Sequence, residues 1–381
     1  MSPPAAHVGE TPRAAFDRLR VRSEFGFPDH VKKLVPKFLG PPTISIIGNP
    51  SLVTQREELQ RGLEQAEKKI LSYKVPDVYE LEDVFINRHG EIWKADGTFL
   101  RRVNKSEVYP TVPTSVQNVS SLLAACTVEG SKNPYLWCTR QLASFAWRWE
   151  LTGVDMAIGI SDTSRTWVPE SIRLAAKETP EIVPVGDAVF VRRLILSNVD
   201  MHFLARHDAY RPSFDRIIER AEKAGGQSNT APVYISRRDA VRRSMRNELQ
   251  LEEALQARGV KVITLTGLSL VEKISLLRHA PLIIGAHGAG LGLVVFGKIG
   301  LKVLEILPVH TPFSHHRVNM PNLSRIMGHE HHHYLALPVK AYDDDSWELD
   351  MPSFLRFLEE KVLSNTSSHY DIQSSPSYSG V

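Results

Sequence analysis

The sequence predicts an α/β protein built on a doubly wound, mostly parallel sheet. Three observations favour this fold class: short apolar runs alternate with helical patterns in the second half, the runs are apolar almost throughout, and one of them opens onto a glycine-rich turn. Strands that helices cover on both faces have this near-continuous apolar character. A buried strand followed by a glycine turn is also where open α/β sheets place their ligands.

The second half gives the clearest series of elements. Its predicted order is a strand at 233–236, a helix at 247–257, a strand at 261–265, a helix opening at 269–272, a strand at 281–285, the glycine turn, and strands at 302–307 and 333–337. Gly259 stands where a glycine commonly ends a helix. Ser269 and Glu272 form a capping-box pattern that opens the next one.

The first half is less regular. The predicted elements are a strand at 43–48, a hairpin of 78–87 with 91–94 joined through His89 and Gly90, a helix at 135–151, and strands at 157–160 and 181–185 with a helix at 169–177 between them. We predict five segments: an N-terminal arm (1–40), an N-terminal α/β domain (41–190), a C-terminal domain (191–343), a closing helix (344–365) and a disordered tail (366–381).

Composition excludes several classes of protein. A chain of 381 residues is too long for one small hydrophobic core, and its length favours two domains. The formal net charge of +3 is small, and the basic residues are dispersed along the chain. Both observations disfavour nucleic-acid binding. Two cysteines, Cys126 and Cys138, do not make a disulfide framework. With neither a signal-like N-terminus nor a membrane-length apolar run, we expect a cytoplasmic protein, with peripheral contact at the inner face of the membrane left open.

The glycine turn, His287-Gly-Ala-Gly-Leu-Gly292, is the first candidate for chemistry. Glycines let backbone N–H groups face an anion, and a following helix N-terminus adds partial positive charge. Its spacing is not the G-x-G-x-x-G of dinucleotide sites, and it follows the third strand of its domain rather than the first. The alternative is structural: small residues that allow close packing of helix and strand.

An arginine-rich turn follows the strand at 233–236, where a doubly wound sheet places ligand contacts. Five arginines lie between residues 236 and 248, and guanidinium groups are bidentate donors to phosphate. Arg237 is best placed because it is nearest the strand end. The alternative is a solvated basic turn, with Asn247 and Glu248 only capping the helix.

Two further features each leave two interpretations. Glu305 stands inside an apolar run, so either it finds partners such as ribose hydroxyls or the loop around His287, or it points to solvent. The run His329-Glu-His-His-His-Tyr334 looks like a metal site. Consecutive histidines alternate faces on a strand, however, and structural zinc sites combine ligands from separated segments, so the run is better interpreted as the turn into a strand.

The second half resembles glycosyltransferase family 61. The resemblance is carried by Tyr234-Ile-Ser-Arg-Arg-Asp239, Arg243 to Glu248, Ile284-Gly-Ala-His-Gly-Ala-Gly-Leu291, Phe296 and Val303-Leu-Glu-Ile306. It is strong over about 230–310, and fainter at 78–100 and 133–180. It implies a GT-B-like architecture, two Rossmann-like domains facing a cleft, and an inverting transfer from a nucleotide-sugar donor, UDP-linked, to a polysaccharide or glycoconjugate acceptor.

The resemblance also implies roles for particular residues. Arg237 and Arg243 would neutralise the donor diphosphate, and the loop of His287, Gly288, Ala289, Gly290 and Leu291 would cradle it. Glu305 and Glu248 would support the loop or the ribose, and Asn247 is predicted among the residues that bind the donor nucleotide. Such enzymes need no cofactor, and a bound metal is not expected. Animal and plant relatives carry membrane anchors. Because no such segment is predicted here, the chain resembles a bacterial member that acts in the cytoplasm.

The chain departs from the family pattern in its first half and after the glycine loop. Leu136 stands near the place of a family histidine, Gly292 and Leu293 replace the usual Thr-Asn, and Gly297-Lys298 lacks the usual proline. The catalytic base, donor sugar, acceptor and oligomeric state therefore stay unassigned. The alternatives are a catalytically degenerate nucleotide-binding or scaffold protein of the same fold and a dinucleotide-dependent oxidoreductase.

Overall fold

A computed structural model describes most of the chain. The described residues are 44–48, 51–72, 78–101, 115–125, 133–146, 156–197, 211–225, 228–240, 242–309 and 315–363. The predicted N-terminal arm and disordered tail, together with Cys126, lie outside them. Cys138 is a buried free thiol.

Two main sheets carry the fold. In chain order the described strands are β1 (Ile44–Gly48), β2 (Val78–Ile86), β3 (Ile92–Lys94), β4 (Phe99–Arg101), β5 (Gln117–Ala125), β6 (Ala157–Ser161), β7 (Ile182–Val185), β8 (Val189–Ser197), β9 (Val233–Ile235), β10 (Lys261–Ile263), β11 (Leu282–Ala286), β12 (Lys302–Pro308), β13 (Glu330–Ala336), β14 (Lys340–Ala341) and β15 (Trp347–Glu348). The first sheet has the order β4-β3-β2-β8-β5-β6-β7, and the second has the order β1-β13-β12-β11-β9-β10.

The two sheets differ in direction. All neighbours in the second sheet are parallel, as the apolar runs predict. The first sheet is mixed: β5 to β8 are joined by parallel pairs, while β2 pairs antiparallel with both β3 and β8. The predicted β2–β3 hairpin is confirmed, and Gly90 in its turn has a φ of 78°, a conformation that suits glycine.

Helices cover the sheets. In the described residues they are α1 (Val53–Ser72), α2 (Pro134–Leu136, continued by a π-helical stretch Trp137–Leu142 and by Ala143–Ala146), α3 (Trp167–Ala175), α4 (Arg211–Ala224), α5 (Glu248–Gln256), α6 (Leu270–Leu277), α7 (Asn319–Met327) and α8 (Met351–Phe357, continued by the π-helical Leu358–Leu363). The capping box of Ser269 and Glu272 is formed at the start of α6, as its sequence predicts.

The structure differs from the sequence prediction in several places. The strand β1 pairs with β13, so it belongs to the second sheet and not to a domain starting at residue 41. The predicted boundary at 190/191 falls inside β8, which pairs with β2 and β5. The closing helix begins at Met351, because residues 347–348 pair with β14 first. The segment after the glycine turn is a 3₁₀ helix, Ala289–Phe296, rather than an α-helix.

One hydrophobic core joins the two sheets. Trp137 and Trp167 from the first half belong to the same buried cluster as Ile235, Ile274 and Phe296 from the second. Buried apolar area of this kind is the main stabilising contribution to a fold. The two halves therefore pack directly on one another.

Candidate functional site

A cavity of about 630 Å³ lies where the two halves meet. Its walls come from the loop 163–167 after β6, the arginine-rich turn after β9, the loop 265–268 after β10, and Lys273, Gly290 and Leu293. Small-molecule sites occupy roughly 300–1,000 Å³ and occur at the carboxyl ends of parallel strands. The cavity therefore has the size and position of a ligand site.

Buried carboxylates hold the arginine-rich turn in place. The backbone N–H of Arg237 donates to Glu248 Oε1 at 2.6 Å, and the Tyr234 hydroxyl donates to the same oxygen at 2.7 Å. Ser236 donates to Glu252, 2.6 Å away, and Arg238 pairs with that carboxylate at 2.8 Å. Burial raises the pKa of Glu248, although these hydrogen bonds act against the rise. Glu248 thus holds the arginine-rich turn, while its support of the glycine loop or of a ribose stays a prediction.

The Arg237 guanidinium lies directly on the glycine loop. A Cβ added to Gly288 would come within 1.7 Å of Arg237 Nη1, so any side chain at residue 288 would displace this group. Arg237 Nη2 donates to the Arg242 carbonyl at 2.9 Å, while the buried Nε has no hydrogen-bond partner among the described residues. Burial and nearby Arg243 lower the pKa of Arg237. The turn and the loop, predicted at separate strand ends, are brought together.

Glycines of the loop also allow close packing. A Cβ on Gly292 would stand 2.5 Å from the Tyr135 Cα, so α2 of the first half packs against the 3₁₀ helix at this glycine. A Cβ on Gly290 would meet Leu265 Cδ1 at 3.0 Å, and Gly290 itself lines the cavity. The packing alternative is therefore confirmed at Gly292, while phosphate binding by the loop stays a prediction for which Gly290 faces the cavity.

Glu305 is fully buried and surrounded by histidines. His287 Nδ1 lies 2.6 Å from Glu305 Oε1, while His331 Nε2 and His333 Nδ1 lie 3.3 and 3.1 Å from Oε2. Burial acts to raise the pKa of Glu305, but the adjacent His287 and His333 rings more than offset it and hold that pKa well below its usual value. The solvent-facing alternative for Glu305 is wrong, because the side chain has no exposed surface.

The histidine run is divided among three surroundings. His329 Nε2 contacts the Val294 carbonyl at 2.8 Å, and His332 pairs with Glu330 at 2.8 Å. His331 and His333 share the other face of β13, the face of Glu305. Burial lowers the pKa of His329 to about 4 and that of His333 to about 3, so both rings are neutral near neutral pH.

The other predicted site residues take supporting positions. Arg243 is exposed, with φ of 55°, and its carbonyl accepts from the Trp347 indole. Both side-chain amide atoms of Asn247 bond the backbone of Leu349 instead of capping α5. Leu291 is buried in the core, and Ala289 packs against it. Of the ten predicted residues, Arg237 and Gly290 are the two that line the cavity among the described residues.

Sequence reasoning missed the wall that comes from the first half. Arg165 and the hydroxyl-bearing Thr163, Ser164 and Thr166 line the cavity, and Ser164 Oγ is buried with no partner among the described residues. The one local feature that could predict these residues is their position just after the end of β6. Their partners across the cavity are about 70 residues further along the chain, so sequence proximity could not reveal the site.

Trp167 of the first half and Lys273 of α6 also line the cavity. The Lys273 Nζ lies 5.5 Å from the centre of a Trp167 ring, and burial lowers the pKa of this lysine. Asp239 is the one carboxylate among the described lining residues, and it accepts from the Thr266 hydroxyl. Arg165, Arg237 and Lys273 therefore give the cavity an excess of positive charge, which suits an anionic ligand.

Glu170 fixes the position of α6 against the first half. Its two carboxylate oxygens accept from the Leu270 N–H at 2.8 Å and the Val271 N–H at 3.2 Å. A carboxylate at a helix N-terminus satisfies orphan donors and complements the helix dipole. This contact, supplied by α3, sits beside Lys273 and holds the two cavity walls together.

Comparison with protein families gives the family of the chain. The family described as Glycosyltransferase 61 matches residues 111–304, just over half of the 381-residue chain. The matched range includes the loop 163–167, the arginine-rich turn and the glycine loop. The chain belongs to glycosyltransferase family 61, and it is a glycosyltransferase.

No curated protein matches the chain. In the described ranges, no helix combines the length and apolar character that crossing a bilayer needs.

Proposed function

We propose that the chain transfers a sugar from a nucleotide-sugar donor, UDP-linked, to a polysaccharide or glycoconjugate acceptor with inversion. The two halves act in this proposal as a GT-B-type pair, with the second sheet holding the donor nucleotide. The observation that carries it is the contact of the Arg237 guanidinium with Gly288 at the wall of a cationic cavity. A guanidinium, a group that suits phosphate, thus lies against the glycine loop and lines the cavity.

The charge of the cavity supports a diphosphate as the leaving group. In the transfer, the bond between the sugar carbon and the diphosphate oxygen breaks while a bond to the acceptor oxygen forms. Arg237, Arg165 and Lys273 would stabilise the negative charge that develops on the diphosphate, a type of electrostatic stabilisation that contributes strongly to catalysis. The proposal gives a metal ion no part in this step, since side-chain cations line the cavity.

The acceptor proton needs a general base, and we propose that the first half supplies it. The described wall from that half offers hydroxyls and Arg165, and no carboxylate or histidine. This feature favours a second candidate, a degenerate member that binds nucleotide without turning over a sugar donor. The proposed arrangement puts the acceptor on the side of loop 163–167.

Calorimetric titration with UDP, other nucleoside diphosphates and NAD(H) tests the donor site. We expect UDP to bind and NAD(H) to give no heat. Absence of binding by every nucleoside diphosphate, in protein shown to be folded, would overturn the proposal. Binding of NAD(H) in preference to UDP would instead support an oxidoreductase, and UDP-sugar binding without UDP release in the presence of acceptor glycans would support the degenerate member.

A further inference from the structure

A buried cluster of one carboxylate and histidines lies behind the glycine loop. Glu305 comes from β12, and His331 and His333 come from one face of the neighbouring β13. The three side chains are at most 1% exposed. One ligand atom from each lies within 4.8 Å of the others. Three groups that each can coordinate a metal thus converge in the interior, away from solvent.

His333 gives an independent sign that something is bound there. Its side chain is fully buried, and neither ring nitrogen makes a hydrogen bond with a described residue, although Nδ1 lies 3.1 Å from Glu305 Oε2. A buried polar atom without a partner costs roughly 1–3 kcal/mol. A bound ion or water is one explanation for such an atom in a native protein. The lone pair of a neutral imidazole nitrogen is a metal ligand.

Two of the three separations between ligand atoms are close to those around a tetrahedral ion. Bonds of about 2.0–2.2 Å to nitrogen and oxygen imply about 3.3–3.5 Å between adjacent ligands of a tetrahedron. Glu305 Oε2 lies 3.3 Å from His331 Nε2 and 3.1 Å from His333 Nδ1. Two imidazoles and one carboxylate are donors that zinc commonly uses.

Neighbouring groups already orient the proposed ligands. His331 Nδ1 lies 2.9 Å from the Ser324 hydroxyl, which fixes the ring with Nε2 toward Glu305. The other Glu305 oxygen is 2.6 Å from His287 Nδ1, at the start of the glycine loop. Metal-binding histidines and carboxylates characteristically have such outer hydrogen bonds, which set ring orientation.

We propose that Glu305, His331 and His333 bind one zinc-class divalent metal ion with a structural role. Its burial separates it from the donor cavity, so the site takes no part in the transfer step and does not depend on the proposed donor. An ion at Oε2 would fix the Glu305 carboxylate, and Oε1 would hold His287 and the loop through the 2.6 Å contact. The metal would thereby stabilise the loop from behind.

Metal analysis of the full chain tests the site. Purified protein is incubated with Zn²⁺ alone, freed of loosely bound ion, and analysed by elemental mass spectrometry and zinc X-ray absorption. We expect about one zinc per chain, with two imidazole ligands in the absorption spectrum. Folded wild-type protein that retains no zinc, or zinc without two imidazoles, would overturn the proposal.

Variants locate the ion within the cluster. His333→Asn and Glu305→Gln should each reduce retained zinc at least tenfold, while His332→Asn, on the other face of the same strand and paired with Glu330, should retain the wild-type content. Undiminished zinc in folded His333→Asn would contradict the assignment. If a cluster variant does not fold, the absorption spectrum of the wild-type protein decides, because it reads the ligands directly.

Discussion

The Arg237 guanidinium occupies the space that a side chain on Gly288 would fill. Arg237 belongs to the turn after β9 and Gly288 to the loop after β11, and these strands are neighbours in the second sheet. Their contact turns two separate sequence features into one wall of a cavity. Because Gly288 carries no side chain, the guanidinium can lie directly against the loop at this residue.

The Gly288→Ala variant should lose nucleotide binding through displacement of Arg237. The added Cβ would stand 1.7 Å from Nη1, so the guanidinium must move. In an Arg237→Ala background the same substitution meets no guanidinium, and its further effect on UDP affinity should be small. A double-mutant cycle measured by calorimetry checks this coupling. Strictly additive effects of the two substitutions would show that the contact has no part in binding.

Replacing Gly292 by alanine should destabilise the fold. The new Cβ would meet the Tyr135 backbone at 2.5 Å, and backbone yields less readily than a flexible side chain. Overpacking of this kind costs about 1–3 kcal/mol, which urea unfolding measures. Gly290→Ala is the matched control, because its nearest contact is the side-chain atom Leu265 Cδ1 at 3.0 Å. Equal losses of unfolding free energy in both variants would contradict the packing explanation.

The Glu170→Gln variant tests the link between the cavity walls. The amide retains one acceptor but loses the charge that complements the α6 N-terminus and its two N–H donors. We expect a loss of about 0.5–2 kcal/mol of unfolding free energy, the usual range for a lost helix cap. Glu178→Gln, at an exposed position just beyond α3, should change it little. Indistinguishable unfolding midpoints would show that the cap adds nothing.

The order of elements in the second half could be predicted, because each strand and helix there has a local signature. The apolar runs at β9, β11 and β12 and the capping box at Ser269 required no knowledge of the rest of the chain. The pairing of β1 with β13 could not be predicted, since about 280 residues separate them. Local periodicity carries no information on which distant strand completes a sheet edge.

Only the part of the candidate site that lies at strand ends of the second sheet could be predicted from the sequence. Arg237 and Gly290 were found this way, whereas loop 163–167 and Lys273 reach the cavity through the packing of the two halves. The histidine cluster was missed for a related reason. His331 and His333 stand in one sequence run, while Glu305 joins them only through the register of β12 with β13.

The central claim is that Arg237 binds the phosphates of a nucleotide donor in the cavity. The direct measurement compares UDP affinity, by calorimetry, in wild-type protein, Arg237→Ala and Arg173→Ala, the last being an exposed arginine of α3 that does not line the cavity. Loss of charge-assisted hydrogen bonds worth about 1.5–3 kcal/mol predicts about 10- to 100-fold weaker binding for Arg237→Ala and unchanged affinity for Arg173→Ala. Wild-type affinity in folded Arg237→Ala would contradict the account.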